Sequence, residues 1–170
     1  MWNINRVDAP LAIVHPQSVE DVSKLIKYPK SARLRFTIRV GGHDLQGRSI
    51  VGGALLIDLR ALRSVNVAAN QKSATVDGGI LREELAAKLW EKVLGTPTGV
   101  ILSVGYVGCM YGGYGSFSVH RGLGLDHLIG APIVNPDGVI VTADQSLLKR
   151  TRGAGDFLVS LSMSLSKCIP

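Results

Sequence analysis

Residues 39–49 read Arg39-Val40-Gly41-Gly42-His43-Asp44-Leu45-Gln46-Gly47-Arg48-Ser49 and follow a β-type run, Phe36-Thr37-Ile38. Two adjacent glycines at the end of a strand let backbone N–H groups converge on an anion, because neither carries a Cβ. Arg39 and Arg48 flank the turn as sources of charge, and Ser49 adds a hydroxyl donor. Read this way, the loop holds a phosphorylated group with a reactive imidazole, His43, at its centre. The same letters also suit a plain glycine turn whose histidine caps a hydrogen bond, and short glycine motifs alone do not separate the two. Neither GxxxxGK[ST] nor GxGxxG occurs, which removes two common nucleotide-binding explanations.

The rest of the chain bounds what such a loop could serve. Its 170 residues suffice for one compact domain or two small lobes sharing an interface. With 46% hydrophobic and 19% charged residues, a core can form and global disorder is excluded. The net charge of +6 invites a nucleic-acid reading, but the Lys and Arg are dispersed and only 5% of residues are aromatic, so the stacking footprint is missing. A pyrophosphate would equally welcome the positive field. Cys109 and Cys168 form no disulfide framework. No signal-peptide core follows Met1-Trp2-Asn3, and no apolar run reaches the roughly 18 residues of a membrane helix, so a soluble chain of unspecified compartment is expected.

In chain order, Leu11–Val14 reads as a short strand ended by His15-Pro16, with His15 a loop residue. Ser18 caps a helix with Asp21 in the capping-box position, Val22, Leu25 and Ile26 supply its apolar face, and Pro29 is expected to end it. Leu34–Val40 delivers the glycine loop, and Gly52–Leu59 is a buried strand. These pieces make a small βαββ lobe, residues 1–66, followed by a larger α+β lobe, residues 67–170. A strand at Val65–Val67 leads into the larger lobe, which has a strand at Ser73–Asp77 and a helix over Ile80–Trp90 whose stripe is Leu81, Leu85 and Leu89, with Trp90 in the core.

Val104–Gly124 is the second unusual region. Gly105, Gly108, Gly112, Gly113, Gly115, Gly122 and Gly124 alternate there with Tyr106, Tyr111 and Tyr114. So many glycines predict extended backbone against a flat ligand rather than a regular helix. A glycine-rich solvent loop is the alternative, although it would expose Val104, Val107 and Leu123. Ile129–Val134, Pro136-Asp137-Gly138 and Val139–Val141 predict a β-hairpin, and Phe157–Met163 alternates as a further strand.

Four passages in this order resemble the FAD-linked oxidases of the vanillyl-alcohol oxidase superfamily, in the berberine-bridge-enzyme-like and fungal 6-hydroxynicotine-oxidase-like branch. They are Ile38–Asp44 with Gly47-Arg48-Ser49; Thr96-Pro97-Thr98-Gly99; Ser103–Gly108 with Tyr111–Gly115; and Gly122–Asp126 with the hairpin after it. The resemblance implies an α+β fold, a PCMH-type FAD-binding domain of two α/β lobes. It implies that the first glycine loop wraps the FAD pyrophosphate through Arg39, Gly41, Gly42, Asp44, Gly47, Arg48 and Ser49, with Val40 also among the cofactor-binding residues. It places His43 where the family bonds a histidine to the flavin 8α-methyl carbon. Val104, Gly105, Gly108, Gly113, Gly115 and Asp126 would line the flavin.

The implied activity is hydride transfer from a small organic substrate (an alcohol, amine or sugar) to FAD, with dioxygen as acceptor. The sequence also departs from the family. Ile101 stands near the position where bicovalent members carry a cysteine, and Cys109 reads as a small buried hydrophobe. The Arg152-Gly153-Ala154-Gly155 passage runs into Asp156-Phe157-Leu158, and the family's substrate domain is absent, so a partner domain or chain would complete the site. No catalytic base is assigned; Tyr114 and His120 read first as packing or loop residues. Two rivals stay open: a non-catalytic FAD-binding module, and a structural domain that has lost the cofactor.

Overall fold

The computed structural model describes residues 8–152, 159, 160 and 162–166 of the chain. A parallel three-stranded sheet comes first. Its strands are β1 (Ala12–Val14), β2 (Phe36–Arg39) and β3 (Leu55–Asp58), in the order β1-β3-β2. The central strand β3 is buried at every position, as its unbroken apolar run Leu55-Leu56-Ile57 requires in the middle of a parallel sheet. Helix α1 (Val19–Ala32) makes the β1-to-β2 connection and buries Val22 and Ile26 against Ile57, Leu59 and Leu62.

Ser18 caps α1 as its sequence predicts, its hydroxyl accepting from Asp21 N at 3.1 Å. Pro29, expected to stop this helix, lies inside it. Its ring is buried with the apolar face, and its carbonyl accepts from Arg33 and Leu34 to close the last turn. Packing and the closing bonds offset the one hydrogen bond that proline cannot donate.

The second sheet, among the described residues, has the order β4-β5-β9-β6-β7 with β8 also paired to β6. Its members are β4 (Val65–Val67), β5 (Ser73–Asp77), β6 (Leu128–Val134), β7 (Ile140–Ala143), β8 (Val159–Ser160) and β9 (Ser162–Ser166). β6 and β7 form the expected hairpin, turned by Asn135, whose side-chain oxygen accepts from Asp137 N and Val139 N. Of the alternating strand read at Phe157–Met163, Phe157, Leu158 and Leu161 lie outside the described residues.

Helix α2 (Arg82–Trp90) buries Leu85 and Leu89 in the larger core beside Val76, Leu128 and Ile133. Trp90, expected in that core, is 72% exposed. One step past Leu89 turns a side chain about 100° around the axis, which takes Trp90 off the buried stripe.

The glycine-rich stretch departs most from its expected extended form. It contains α3 (Tyr106–Gly112), then α4 (Ser118–Arg121), before a 3-10 turn at Gly124–His127. Tyr106, Val107 and Met110 are spaced to enter the core on one face of α3, at 0%, 5% and 0% exposure. Burying each side chain contributes about 1.5–3 kcal/mol, more than the roughly 1 kcal/mol that an interior glycine costs a helix. Gly105 and Gly113 mark the helix ends, Gly113 in the left-handed conformation at φ 69° that closes many helices. Helix α5 (Gln145–Arg150), capped by Asp144, covers β6 and β7. Among the described residues no helix is long and apolar enough to cross a membrane.

Candidate cofactor site

The two glycine stretches meet. A Cβ on Gly41 would stand 2.4 Å from the Ser103 carbonyl oxygen and 2.6 Å from Gly105 N. Reciprocally, a Cβ on Gly105 would stand 2.7 Å from Val40 Cβ. Gly41 therefore lies on backbone and Gly105 against the Val40 side chain, with no room for a side chain at either residue. Residues 102–106 are held in place from the other side. Leu102 O and Val104 O accept from Glu83 N and Arg82 N at the start of α2, each at 3.0 Å, and Tyr106 N donates to Ile80 O at 3.0 Å. Two N–H groups that a helix start leaves without intrahelical partners are thereby satisfied, and the segment is fixed beside the first loop.

This junction forms one wall of a cleft of about 370 Å³, lined by residues 39–43 together with Arg60, Leu81 and Ser103. That volume falls within the range of small-molecule clefts. Both arginines are clamped from behind. Arg39 donates from Nε (3.0 Å) and Nη2 (2.5 Å) to Asp58 Oδ2, a carboxylate 1% exposed. Arg60 donates to Glu84 through Nη1 and Nη2, at 2.9 and 2.7 Å, and to Gly79 O. Hydrogen bonding from Arg60 holds the Glu84 carboxyl down to about 2, from an ordinary 4.5. The wall thus presents fixed guanidinium groups whose charge is largely balanced inside the protein.

His43 Nε2 lies 2.9 Å from Ser103 Oγ, which ties the imidazole of the first glycine loop to the second. Burial lowers the His43 pKa below its usual 6.5, favouring the neutral ring.

Of the residues the sequence singled out, Arg39, Val40, Gly41, Gly42 and His43 line this cleft, and Val104 and Gly105 lie directly behind it. Asp44, Gly47, Arg48 and Ser49 form the turn beyond. There Asp44 accepts from Arg48 N and pairs with its guanidinium at 2.8 Å, and Thr37 Oγ1 donates to Arg48 O. Gly113 and Gly115 admit neighbouring backbone, at Gly124 N and Thr98 O respectively. Asp126 accepts from Leu123 N at 2.9 Å, closing the 3-10 turn. Gly108 sits on α3 with open space where a Cβ would project. Tyr114 and His120 are exposed, and Cys109 is half-buried with its Sγ against Gly99.

Arg60, Leu81 and Ser103 are cleft residues that motif reading passed over as contributors. Ser103 sits inside a passage already singled out, next to Val104-Gly105, so its neighbourhood was visible. Arg60 gives no local signal, because its place depends on Glu84 in a distant helix.

The fold is a mixed α/β domain in which two glycine stretches close on an imidazole and a pair of fixed arginines. Comparison with known proteins narrows it. Residues 10–144 match the family model described as FAD binding domain. Berberine bridge enzyme-like 21 of Arabidopsis thaliana is 36% identical over 145 residues, 82% of this chain and 27% of that protein.

Two solved structures extend the comparison. That of 6-hydroxy-D-nicotine oxidase from Arthrobacter nicotinovorans superposes with a TM-score of 0.88 at 26% identity, covering 97% of this chain and 38% of the oxidase. Glucooligosaccharide oxidase from Acremonium strictum, which carries a 6-S-cysteinyl, 8α-N1-histidyl FAD, superposes with a TM-score of 0.85 at 28% identity, over 94% of this chain and 35% of that one. The chain belongs to the family of FAD-linked oxidoreductases with a PCMH-type FAD-binding domain, among berberine-bridge-enzyme-like and 6-hydroxynicotine-oxidase homologues. It spans about a third of the length of the relatives it matches.

The residues present fit that cofactor. The cleft offers backbone without side chains at Gly41 and Gly42, positive groups at Arg39 and Arg60, and an imidazole that burial shifts toward its neutral form.

Proposed function

We propose that this chain is the FAD-holding part of an oxidase in which His43 is the covalent anchor to the flavin 8α carbon. The junction of residues 40–41 with 103–105, with His43 in the cleft it forms, carries this reading. When bound, FAD supplies the redox chemistry, accepting a hydride from a small alcohol, amine or sugar and passing electrons to dioxygen.

The residues of the chain do the holding. Gly41, Gly42 and the turn from Asp44 to Ser49 receive the pyrophosphate. Arg39 and Arg60, locked by Asp58 and Glu84, supply oriented donors without having to reorganise. Val104, Gly105 and Gly108, with Gly113, Gly115 and Asp126 shaping the backbone behind them, bed the flavin. The two sheets act as two lobes divided near residue 66, and a further domain or partner chain brings the substrate site. The purified protein is expected to be yellow and to keep its colour in the pellet after acid precipitation. His43→Ala should lose the acid-stable colour, and retention of covalent flavin by that variant overturns the anchor assignment.

A second reading, an FAD-binding module without turnover, is favoured by the lining of the cleft. Among the described residues there, His43 stands with two arginines and no carboxylate, tyrosine or lysine to act as a general base. Peroxide release by the isolated chain in the presence of candidate alcohols, amines or sugars would exclude it.

A further inference from the structure

His43 and Ser103 are 60 residues apart in sequence, yet Nε2 and Oγ meet at 2.9 Å. Ser103 is held at both ends for this contact. The flanking Leu102 and Val104 carbonyls are bonded to the start of α2, and its own carbonyl is pressed against Gly41, two residues before His43. The backbone that carries the hydroxyl is thus held on both sides, within reach of His43. An acceptor at one ring nitrogen keeps the proton there and leaves the other nitrogen its lone pair.

We infer that Ser103 is a positioning residue for His43: its Oγ accepts the Nε2–H hydrogen bond, fixes the ring, and makes Nδ1 the nitrogen that bonds to the flavin. Burial of His43 acts in the same direction by disfavouring the charged ring. In the coupling step the Nδ1 lone pair forms a C–N bond to the 8α carbon, and a C–H bond of that methyl breaks. One proton leaves from the methyl and one from the imidazole Nε2, with Ser103 Oγ the first oxygen it meets. The electron pair from the broken C–H bond is delivered in the end to dioxygen, which takes up two protons as hydrogen peroxide. The inference rests on His43 being the anchor for its covalent step, but the proton position on the free ring does not.

The test uses full-length apoprotein from riboflavin-starved cells, wild type, Ser103→Ala and Ser103→Thr. On incubation with FAD in air, acid-stable flavin should appear about tenfold more slowly in Ser103→Ala, and Ser103→Thr, which keeps the hydroxyl, should recover most of the rate. Independently, ¹⁵N-histidine NMR of the apoproteins, with the His43 signals assigned by their loss in His43→Ala, should show the Nε2–H form dominant in wild type. The Nδ1–H population should rise about fivefold in Ser103→Ala, as loss of one hydrogen bond predicts. Equal coupling rates in wild type and Ser103→Ala overturn the proposal, as do unchanged His43 ring shifts. If wild type itself never acquires acid-stable flavin, the anchor reading fails, and the ring shifts alone decide the role of Ser103.

Discussion

Two alanine substitutions in the glycine stretches should act in opposite directions. In Gly41→Ala the new methyl starts 2.4 Å from one backbone atom and 2.6 Å from another. An ordinary contact needs about 3.5 Å, so the two segments must part by about 1 Å. Overpacking of this kind costs about 1–3 kcal/mol, with the upper part of the range apt here because main chain is the obstacle on both sides. The smaller entropy of the unfolded alanine chain returns about 0.4–1 kcal/mol. The net loss is about 1–2 kcal/mol, or roughly 2–8 °C in Tm for a chain of this size.

Gly108→Ala meets nothing within 4 Å and lies inside α3, so it should stabilise the apoprotein by about 0.5–1 kcal/mol. The same substitution should shrink the rise in Tm that added FAD produces, because the open space at Gly108 is assigned to the flavin. Urea titrations and thermal scans of both apoproteins, with and without FAD, give all the numbers. A Gly41→Ala chain as stable as wild type would refute the backbone-contact argument, and a Gly108→Ala chain with an undiminished FAD response would refute the flavin-bed assignment.

Other perturbations test the clamped arginines and the anchor. Arg39→Leu strands the Asp58 carboxylate, 1% exposed, and should cost about 3 kcal/mol in urea unfolding, the lower end for a broken buried pair because Arg39 is itself partly exposed. Glu84 titrates lower in the folded chain than unfolded, so its contribution is complete above about pH 4.5 and fades as the pH falls toward about 2. Glu84→Gln should flatten that part of the stability profile, and an unchanged slope between pH 4.5 and 2 would contradict the Arg60 clamp. His43→Ala, read by acid precipitation, tests the covalent link. An NMR titration of His43 in the apoprotein should show a midpoint below 6.5, as burial of the ring requires.

The parts of the fold that could be read locally were those set by local chemistry. Ser18 capped its helix, the Leu55–Ile57 run became a central strand, and Asn135–Gly138 turned the hairpin. The misreadings came where distant partners outweighed local preference. Pro29 stayed helical because its ring packs with the apolar face of α1. Tyr106, Val107 and Met110 drew a glycine-rich segment into a helix because the core offered them burial. At the site, the first loop declared itself through Gly41-Gly42-His43. Arg60 did not, since its clamp by Glu84 joins residues 24 apart. Ser103 could be located but not given a role, because a contact to His43 is invisible until the chain folds back on itself.

The order of the larger sheet has a bearing on how the protein is made. β5 and β6 do not pair with each other; β9, the last strand described, lies between them and bonds to both. While residues 162–166 are still inside the ribosome, β5 and β6 each offer an unpaired edge, the kind of surface on which chains join one another. Deleting those residues should therefore yield not a slightly shorter protein but one with a slot in its sheet, prone to capturing a strand from a neighbour.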